Sequence, residues 1–292
     1  MVSIGQITRA YPIQILMWHE IVNDTINDTP ITGTFCPLCN ATIVFDRRLQ
    51  DRVLDFGTTG RLRKSDLVMY DRHTETWWQQ FSGRAVVGKL VGSTLSRIPA
   101  KIVAFEDLRK SHPNSEILSK KTGHSRAYRQ NPYAGYDNID AHPFLRSEPV
   151  DPHLPVMERV LNISIEQAHQ LYPFSGLKST LVINDTVAGK PVVIFSRHGS
   201  LSALDASQIK NSRTLPSATA WHRELDGQVL DFVARGGEFV DTQTGSSWSI
   251  LGRASSGPLA GKKFWPTAGG VHFAFAWLAF NPKSTIWKAS TP

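Results

Sequence analysis

Paired blocks of sequence recur in the same order along the chain, and this repetition limits the folds that the chain can adopt. The clearest pair is Ile21-Val22-Asn23-Asp24-Thr25 and Val182-Ile183-Asn184-Asp185-Thr186, each preceded by a Tyr-Pro dipeptide. The other pairs are Val53-Leu54-Asp55-Phe56 with Val229-Leu230-Asp231-Phe232, Asp71 and Trp78 with Asp241 and Trp248, and Gly83-Arg84-Ala85 with Gly252-Arg253-Ala254. Several matched blocks in one order indicate an internal duplication, so we expect two units of similar fold.

Each unit is predicted to consist mainly of β-strands. Alternating or β-branched runs lie between glycine and aspartate residues along the chain, which is typical of short strands. The predicted strands are residues 2–7, 31–35, 53–56, 65–70, 180–183, 192–195 and 229–233. Helical patterns are rarer and predict helices over residues 13–23, 105–111 and 164–171.

We therefore predict an α+β fold that is rich in β-structure, with two degenerate repeats related by a pseudo-two-fold axis. The first repeat is residues 1–122, which hold both cysteines, and the second repeat is residues 159–292. Residues 123–158 form a connecting segment between them. This segment contains Tyr133 and Tyr136 in an aromatic stretch, so we expect it to pack on the body of the protein rather than to form a free linker.

The composition is that of a folded protein without a membrane span. Of the 292 residues, 41% are hydrophobic and 20% are charged, a balance that argues against intrinsic disorder. The longest apolar runs are far shorter than the roughly 20 residues that a spanning helix needs. Residues 1–5 show no signal peptide, so the cytoplasm is the default expectation, although the sequence does not determine the compartment.

The net charge of +7 does not by itself indicate nucleic-acid binding. Lysine and arginine occur in short scattered clusters, such as Arg61-Leu62-Arg63-Lys64, without a basic helix or an aromatic RNA-binding signature. We therefore expect no nucleic-acid partner. A solvated surface explains the cluster most simply, although an anionic substrate or partner could use it.

Both cysteines of the chain lie in one Cys-x-x-Cys motif, Cys36-Pro37-Leu38-Cys39. A disulfide-rich scaffold and a four-cysteine zinc ribbon are therefore excluded. Two thiols at this spacing can share a metal ion, close a local disulfide, act as a redox dithiol, or form an inert buried pair. The second repeat has Arg197-His198-Gly199-Ser200 at the corresponding place, so a site built on the thiols belongs to the first repeat.

Metal binding at the motif would need one or two further ligands. The candidate ligands are Cys36, Cys39, His19, Met69, His198 and His272. His19 leads the additional candidates, because it ends an apolar stretch and the second repeat has a threonine in its place. Met69 offers a soft thioether from the same repeat, whereas the two later histidines require that the repeats meet near the motif. Such a soft ligand set favours copper if Met69 takes part and zinc if a second histidine does.

A thioredoxin-type dithiol is less consistent with the residues after the motif. Such dithiols lie at the start of a helix, where the helix dipole lowers a thiol pKa. Here residues 40–46 are a β-branched run that favours a strand. Metal binding is therefore the preferred interpretation of the motif.

Specific blocks run along nearly the whole chain. They are Ala10-Tyr11-Pro12, residues 19–24, residues 34–40 with the Cys-Pro-Leu-Cys motif, Phe45-Asp46-Arg47, Phe56-Gly57, residues 65–72, residues 74–80, and Asn131-Pro132-Tyr133 with Tyr136. In these blocks the chain resembles a bacterial and archaeal family catalogued as domain of unknown function 3179. The resemblance implies no particular activity, because none is established for the family in general, and family members often begin with export or lipid-anchor signals.

These observations predict a protein that binds a soft metal ion, copper rather than zinc, at Cys36, Cys39 and His19. With a coordination position open to substrate, the predicted activity is that of a metal-dependent oxidoreductase. Its small-molecule or peptide substrate is not identified by the sequence. Two alternatives stay open: a non-catalytic binding module in which the Cys-x-x-Cys motif is structural, and a thiol oxidoreductase.

Overall fold

The computed structural model of the protein describes residues 1–144 and 153–289. The first part has the strands β1 (Val2–Ile4), β2 (Ile7–Ala10), β3 (Ile21–Ile26), β4 (Thr29–Cys36), β5 (Ala41–Asp46), β6 (Arg48–Leu49), β7 (Arg52–Val53), β8 (Phe56–Arg63), β9 (Asp66–Asp71), β10 (Trp77–Gln79), β11 (Arg84–Val87), β12 (Arg97–Ile98) and β13 (Glu116–Ile117), with the helices α1 (Ile13–His19) and α2 (Phe105–Ser111). The second part has the strands β14 (Arg159–Ile165), β15 (Ala168–Pro173), β16 (Val182–Val187), β17 (Lys190–Leu201), β18 (Thr214–His222), β19 (Glu224–Leu225), β20 (Gln228–Val229), β21 (Phe232–Arg235), β22 (Glu238–Asp241), β23 (Ser247–Trp248), β24 (Ala254–Ser256), β25 (Ala268–Phe273) and β26 (Thr285–Ile286), with the helices α3 (Phe174–Leu177) and α4 (Ala274–Phe280). The described residues therefore form a β-rich fold with four short helices.

The first part folds into three sheets and a two-stranded ribbon. The sheets have the strand orders β1-β2-β13, β12-β5-β4-β3 and β11-β10-β9-β8, and β6 pairs with β7. Most neighbouring strands are antiparallel hairpins with tight turns. Asn27 and Asp28, for example, join β3 to β4 with φ angles of 45° and 59°, which two-residue hairpin turns require and which Asn and Asp tolerate.

The second part repeats this order of elements. Its sheets are β25-β14-β15-β26, β16-β17-β18 and β21-β22-β23-β24, and β19 pairs with β20. Strand β26 runs parallel to β15, as β13 runs parallel to β2. Helices α1 and α3 follow β2 and β15, while α2 and α4 precede β13 and β26. In the described residues, the two parts thus share one order of strands and helices.

Matched sequence blocks also form matched hydrogen bonds. The Asn23 side chain bonds the backbone N–H and C=O of Phe56 at 3.1 and 2.8 Å, and Asn184 bonds those of Phe232 at 2.9 and 2.8 Å. Equivalent pairs are Tyr11–Asp24 and Tyr172–Asp185, and Trp78–Asp71 and Trp248–Asp241. Because each asparagine satisfies two backbone groups of another sheet, these contacts fix how the sheets of each part meet.

The two parts share a hydrophobic core that contains the Cys-x-x-Cys motif. Cys36 and Cys39 belong to the same buried cluster as Trp78 of the first part and residues 273–278 of the second part. Residues 274–278 of α4 are all buried, as a helix with apolar residues on every side requires. No helix among the described residues could span a membrane; α4, rich in apolar residues, has seven residues.

Two of the three predicted helices differ from the structure. The helix predicted over residues 164–171 is wrong, because these residues form the end of β14 and the start of β15, with Glu166 at φ 54° in the turn between them. Pairing of Leu161 with Tyr172 in the sheet outweighs the local helical pattern. The helix predicted over residues 13–23 ends at His19, where Glu20 adopts φ 57° and β3 begins. The helix predicted over residues 105–111 is confirmed as α2.

The connecting segment predicted over residues 123–158 packs on both parts where it is described. The backbone N–H of Asn131 donates to the Ser207 carbonyl at 2.7 Å, and the Tyr136 hydroxyl donates to the Leu38 carbonyl at 3.1 Å. Residues 145–152 of this segment, and residues 290–292 of the predicted second repeat, lie outside the described residues.

Two glycines with nearly equal φ angles, Gly83 and Gly60, give a test of the packing around the Phe45 ring. A Cβ atom at Gly83 (φ 68°) would lie 2.7 Å from the Phe45 ring, whereas one at Gly60 (φ 70°) would have no atom within 4 Å. We expect Gly60→Ala to cost about 1 kcal/mol from backbone strain alone. Gly83→Ala should cost a further ~1–3 kcal/mol from steric overlap. Urea unfolding of both variants measures the difference, and equal losses would contradict the close contact.

Candidate metal centre

The Cys-x-x-Cys motif forms a tight turn between two neighbouring strands. Cys36 ends β4 and pairs with Ala41, the first residue of β5. Pro37–Cys39 form one turn of 3-10 helix, which Asn40 closes at φ 49°, a left-handed conformation that asparagine tolerates. The turn buries both thiols, since Cys36 is 2% exposed and Cys39 is fully buried. The strand predicted after the motif is β5, so no α-helix begins at the thiols.

The β8–β9 hairpin brings Asp66 next to the motif. Strands β8 and β9 have eight and six residues, whereas their counterparts β21 and β22 have four residues each. The longer hairpin ends in a Lys64-Ser65 turn directly before Asp66, and the Ser65 carbonyl accepts a hydrogen bond from the Cys39 thiol at 3.1 Å. The first part therefore holds both the thiols and a hairpin long enough to reach them.

The turn of this hairpin is strained in the first part and relaxed in the second. Lys64 and Ser65 have φ angles of 54° and 64°, whereas the corresponding turn between β21 and β22 consists of Gly236-Gly237. Non-glycine residues in this conformation cost energy, and such strain clusters at functional sites. Both side chains form contacts that glycine could not form: the Lys64 ammonium donates to the Ala279 carbonyl at 2.8 Å, and the Ser65 hydroxyl donates to the Phe144 carbonyl at 2.9 Å.

Three potential metal ligands lie together in the core. One ligand atom each of Cys36, Cys39 and Asp66 lies within 4.8 Å of the other two, and all three residues are buried. In a tetrahedral site with metal–sulfur distances near 2.3 Å, ligand atoms are ~3.5–4 Å apart. Small side-chain movements would therefore let the three atoms share one ion.

Asp66 is fully buried, and within the described residues only one of its carboxylate oxygens is hydrogen-bonded. Oδ2 accepts hydrogen bonds from the Phe81 backbone N–H at 3.0 Å and from the Gln79 amide. Oδ1 makes no hydrogen bond of normal geometry there, although the Cys39 thiol and the Leu67 backbone N–H lie close enough to the carboxylate to lower its pKa. Burial raises the pKa of Asp66 to about 7, against the opposing effect of these hydrogen bonds. A buried carboxylate oxygen without a partner is a position that a metal ion would satisfy.

The environment of Cys39 does not suit a reactive thiol. Burial raises the pKa of the Cys39 thiol well above its ordinary value, and the neighbouring Cys36 and Asp66 raise it further. A buried, protonated thiol is a poor nucleophile. A bound metal ion would reverse this effect, because a thiol that coordinates a metal ion is deprotonated.

The connecting segment covers the motif with aromatic side chains. The Tyr136 hydroxyl bonds the Leu38 carbonyl within the motif, and the Tyr136 ring lies edge-on to Phe273 with 6.1 Å between ring centroids. The Phe144 backbone N–H donates to the Tyr136 hydroxyl at 3.3 Å. The segment therefore shields the motif from water on this side.

His19, predicted as a ligand, lies outside the group of Cys36, Cys39 and Asp66. It is the last residue of α1, and its Nε2 atom lies 2.7 Å from the Tyr128 hydroxyl. The structure therefore does not bring His19 together with the thiols.

His198, also predicted as a ligand, lies outside the group, and Met69 lies on the face of its strand opposite to Asp66. Met69 is buried in the same cluster as the thiols, but it lies three positions after Asp66 on β9, so alternation along the strand places the two side chains on opposite faces. His198 is exposed at a bulge of β17, with Nε2 2.8 Å from the Lys178 carbonyl oxygen.

Asp66 was not predicted as a ligand from the sequence, because a single aspartate at the start of a strand is common. A comparison of matched blocks in the two parts does show a difference in length next to Asp66. Residues 57–70 separate Phe56 from Asp71, whereas the shorter stretch 233–240 separates the matched Phe232 from Asp241. The additional residues of the first part include Asp66.

His272, the remaining predicted ligand, lies in the shared core but does not join the group. Its ring stacks on Trp277 with 5.3 Å between centroids, and its Nε2 atom lies 3.0 Å from the Asn162 side-chain oxygen. Its Nδ1 atom has no hydrogen-bond partner among the described residues. Burial, together with a smaller effect of the Arg97 charge, lowers the pKa of His272 to about 3. The imidazole is therefore neutral in the folded protein.

We expect His272 to make the protein less stable as the pH falls. The folded state keeps the imidazole neutral down to about pH 3, whereas the unfolded chain takes up a proton near the ordinary pKa of 6.5. The contribution of the neutral His272 imidazole to the free energy of unfolding is thus complete above pH 6.5. It is lost between pH 6.5 and about 3, by up to about 1.4 kcal/mol per pH unit. Urea unfolding of His272→Gln should show a shallower pH dependence in this window. His198→Gln, which alters an exposed histidine, is the control, and an unchanged slope in His272→Gln would contradict the burial.

Comparison with known proteins identifies the family of the chain. A family model described as "Protein of unknown function (DUF3179)" matches residues 1–284, a range that includes the motif, the β8–β9 hairpin and α4. No curated protein and no solved structure matches the chain. The chain belongs to the DUF3179 family of proteins of unknown function.

Proposed function

We propose that the protein binds one metal ion in its core through the thiolates of Cys36 and Cys39 and a carboxylate oxygen of Asp66. The observation that carries this proposal is the grouping of these three ligand atoms within 4.8 Å of one another, with Asp66 Oδ1 unpartnered among the described residues. Two thiolates and a carboxylate are ligands that zinc accepts. A metal ion would also offset the cost of a buried carboxylate.

The ligand set moves the preferred metal from copper to zinc. Copper was predicted with His19 and Met69 as ligands, but His19 lies outside the group and Met69 lies on the strand face opposite to Asp66. Copper(I) prefers thiolate and thioether ligands, whereas zinc combines sulfur with oxygen ligands. A zinc ion would act structurally or as a Lewis acid, while a copper ion would support the predicted oxidoreductase.

The number of ligands favours a catalytic site over a purely structural one. Structural zinc sites have four protein ligands, whereas catalytic sites have three and leave one position for water or substrate. The group supplies three. Gln79 and the Phe81 backbone N–H would hold Asp66 in orientation, the role that hydrogen bonds to metal ligands usually have.

We further infer that the scaffold arose by internal duplication and that a pseudo-two-fold axis relates its two parts. The shared element order and the matched Asn23 and Asn184 contacts support this. By the strand registers, Arg197 is the residue of the second part equivalent to Cys36. The hairpin that carries Asp66 also has a shorter counterpart in the second part. Both differences lie where the Cys-x-x-Cys turn meets the β8–β9 hairpin, as expected if one copy acquired a site and the other did not.

Elemental analysis of untagged protein, purified without chelators, tests the metal site. We expect about one zinc ion per chain in the wild type and roughly a tenth of that or less in Cys36→Ser and in Asp66→Asn, because each variant loses a ligand. Asp51→Asn, which alters a carboxylate with an 82% exposed side chain, is the matched control and should retain the metal.

Cobalt(II) substitution then identifies the ligands. A thiolate-to-cobalt charge-transfer band should be present in the wild type and absent in Cys36→Ser. One copper ion per chain instead of zinc would support the copper-dependent oxidoreductase that the sequence predicts. A wild type that stays free of metal after reconstitution under reducing conditions would contradict the proposal.

Thiol labelling separates the metal site from a thiol oxidoreductase. Because both thiols are buried and burial raises the pKa of Cys39, we expect native metal-free protein at pH 8 to react at least about tenfold more slowly than protein unfolded in guanidinium chloride. Labelling of the native protein at the rate of the unfolded chain would favour the thiol oxidoreductase.

A cavity between the two parts supports a second candidate function, that of a binding module. It has a volume of about 780 Å³ and is lined mainly by apolar side chains of both parts, among them Phe35, Phe105 and Leu215. This volume is in the range of small-molecule sites. In a binding module the cysteines would only brace the turn, so Cys36→Ser would lower stability without abolishing ligand binding.

A further inference from the structure

A separate cavity of about 490 Å³ lies where the two parts meet, beside the candidate metal centre. Strands β8, β11 and β12 of the first part line it, together with β14, β15 and α4 of the second part. Its basic and aromatic lining residues include Arg63, Arg84, Arg97, His169, Trp277 and Phe280. This cavity, called the arginine pocket below, is distinct from the apolar cavity described above.

The arginine pocket is strongly cationic. Three arginines line it, and among the described residues no aspartate or glutamate does. Arg63 donates to the Gln79 side-chain oxygen at 3.3 Å and Arg97 donates to the Phe81 carbonyl, so both have neutral acceptors. Arg84 is exposed, and among the described residues its guanidinium has no hydrogen-bond acceptor. Three guanidinium groups around one cavity repel each other, and a bound anion would relieve that repulsion.

One wall of the arginine pocket is aromatic. Phe280 stacks on Phe81 with 5.3 Å between ring centroids, and His169 lies edge-on to Trp277 at 5.5 Å. The Arg63 guanidinium carbon lies 5.8 Å from the centre of the Phe280 ring. An aromatic wall beside guanidinium groups suits a molecule with a carbon skeleton as well as anionic groups.

We propose that the arginine pocket binds a small organic anion that carries carboxylate or phosphate groups. The guanidinium groups of Arg63, Arg84 and Arg97 would hold the anionic oxygens, since arginine binds both groups with paired hydrogen bonds. Trp277 and Phe280 would contact the carbon skeleton. The volume of the pocket is that of a small-molecule site. The proposal does not require a metal ion, because none of these residues is a proposed metal ligand.

The arginine pocket is linked to Asp66 by two short paths. Gln79 accepts a hydrogen bond from Arg63 and donates one to Asp66. The Phe81 carbonyl accepts from Arg97, and the Phe81 N–H donates to Asp66 at 3.0 Å. An anion in the pocket would therefore lie next to the candidate metal centre.

Isothermal titration calorimetry with citrate and with inorganic phosphate, at low ionic strength, tests the proposal on the protein as purified. We expect one anion per chain, and a Kd for Arg84→Gln that is about tenfold or more above the wild-type value. Arg253→Gln is the matched control, because Arg253 has the same Gly-Arg-Ala context in the second part and does not line the pocket. It should bind like the wild type. Arg63→Gln provides a second pocket variant with the same expected loss.

The outcomes separate the possible ligands and the two proposals. Tighter binding of citrate indicates a carboxylate ligand, and tighter binding of phosphate indicates a phosphoryl ligand. Cys36→Ser should bind the anion like the wild type, so a failed metal site leaves this inference intact. Binding that is lost in Cys36→Ser would place the anion on the metal ion and overturn the proposal. Absence of binding at millimolar anion, or equal weakening by Arg84→Gln and Arg253→Gln, would overturn it as well.

Discussion

A carboxylate buried beside two thiols is the constraint on which the candidate site depends. Transfer of an ionised carboxylate into a protein core is costly unless the group is neutral or has a positive partner. The pKa of Asp66, raised to about 7, corresponds to the first solution, because the metal-free carboxyl group is then neutral below about pH 7. A metal ion shared with Cys36 and Cys39 would be the second. The hydrogen bonds from Gln79 and Phe81 hold one oxygen of Asp66 in place and leave the other available to an ion.

The site lies in the first part, but much of its enclosure comes from elsewhere in the chain. Residues 273–278 of the second part share the buried cluster of the thiols, and Tyr136 of the connecting segment bonds the carbonyl of Leu38. The second part of the chain thus forms one wall of the site in the first part. The same junction creates the arginine pocket, because strands of the first part and α4 of the second part meet there.

The β-rich character of the fold could be predicted because its signals are local. The β-branched run after the motif specifies a strand through short-range preferences, and α2 follows from a helical pattern of its own. Residues 164–171 show where this reasoning fails. Their helical pattern is real, but pairing with β25 on one side and within the β14–β15 hairpin overrides it.

The sequence by itself determined that both thiols lie in the first half of the chain, three positions apart, and that a strand follows them. It could not determine which residue completes the site, because ligands from distant segments meet only after the sheets have packed. His19 was the leading additional candidate because it ends an apolar stretch and has a threonine in its place in the second half, yet α1 places it beside Tyr128. Asp66, 27 positions after Cys39, reaches the thiols because the β8–β9 hairpin is long enough to extend from one sheet to the turn of another. The tertiary structure alone decided this, since the positions of side chains on separate sheets are set by packing rather than by local sequence preference.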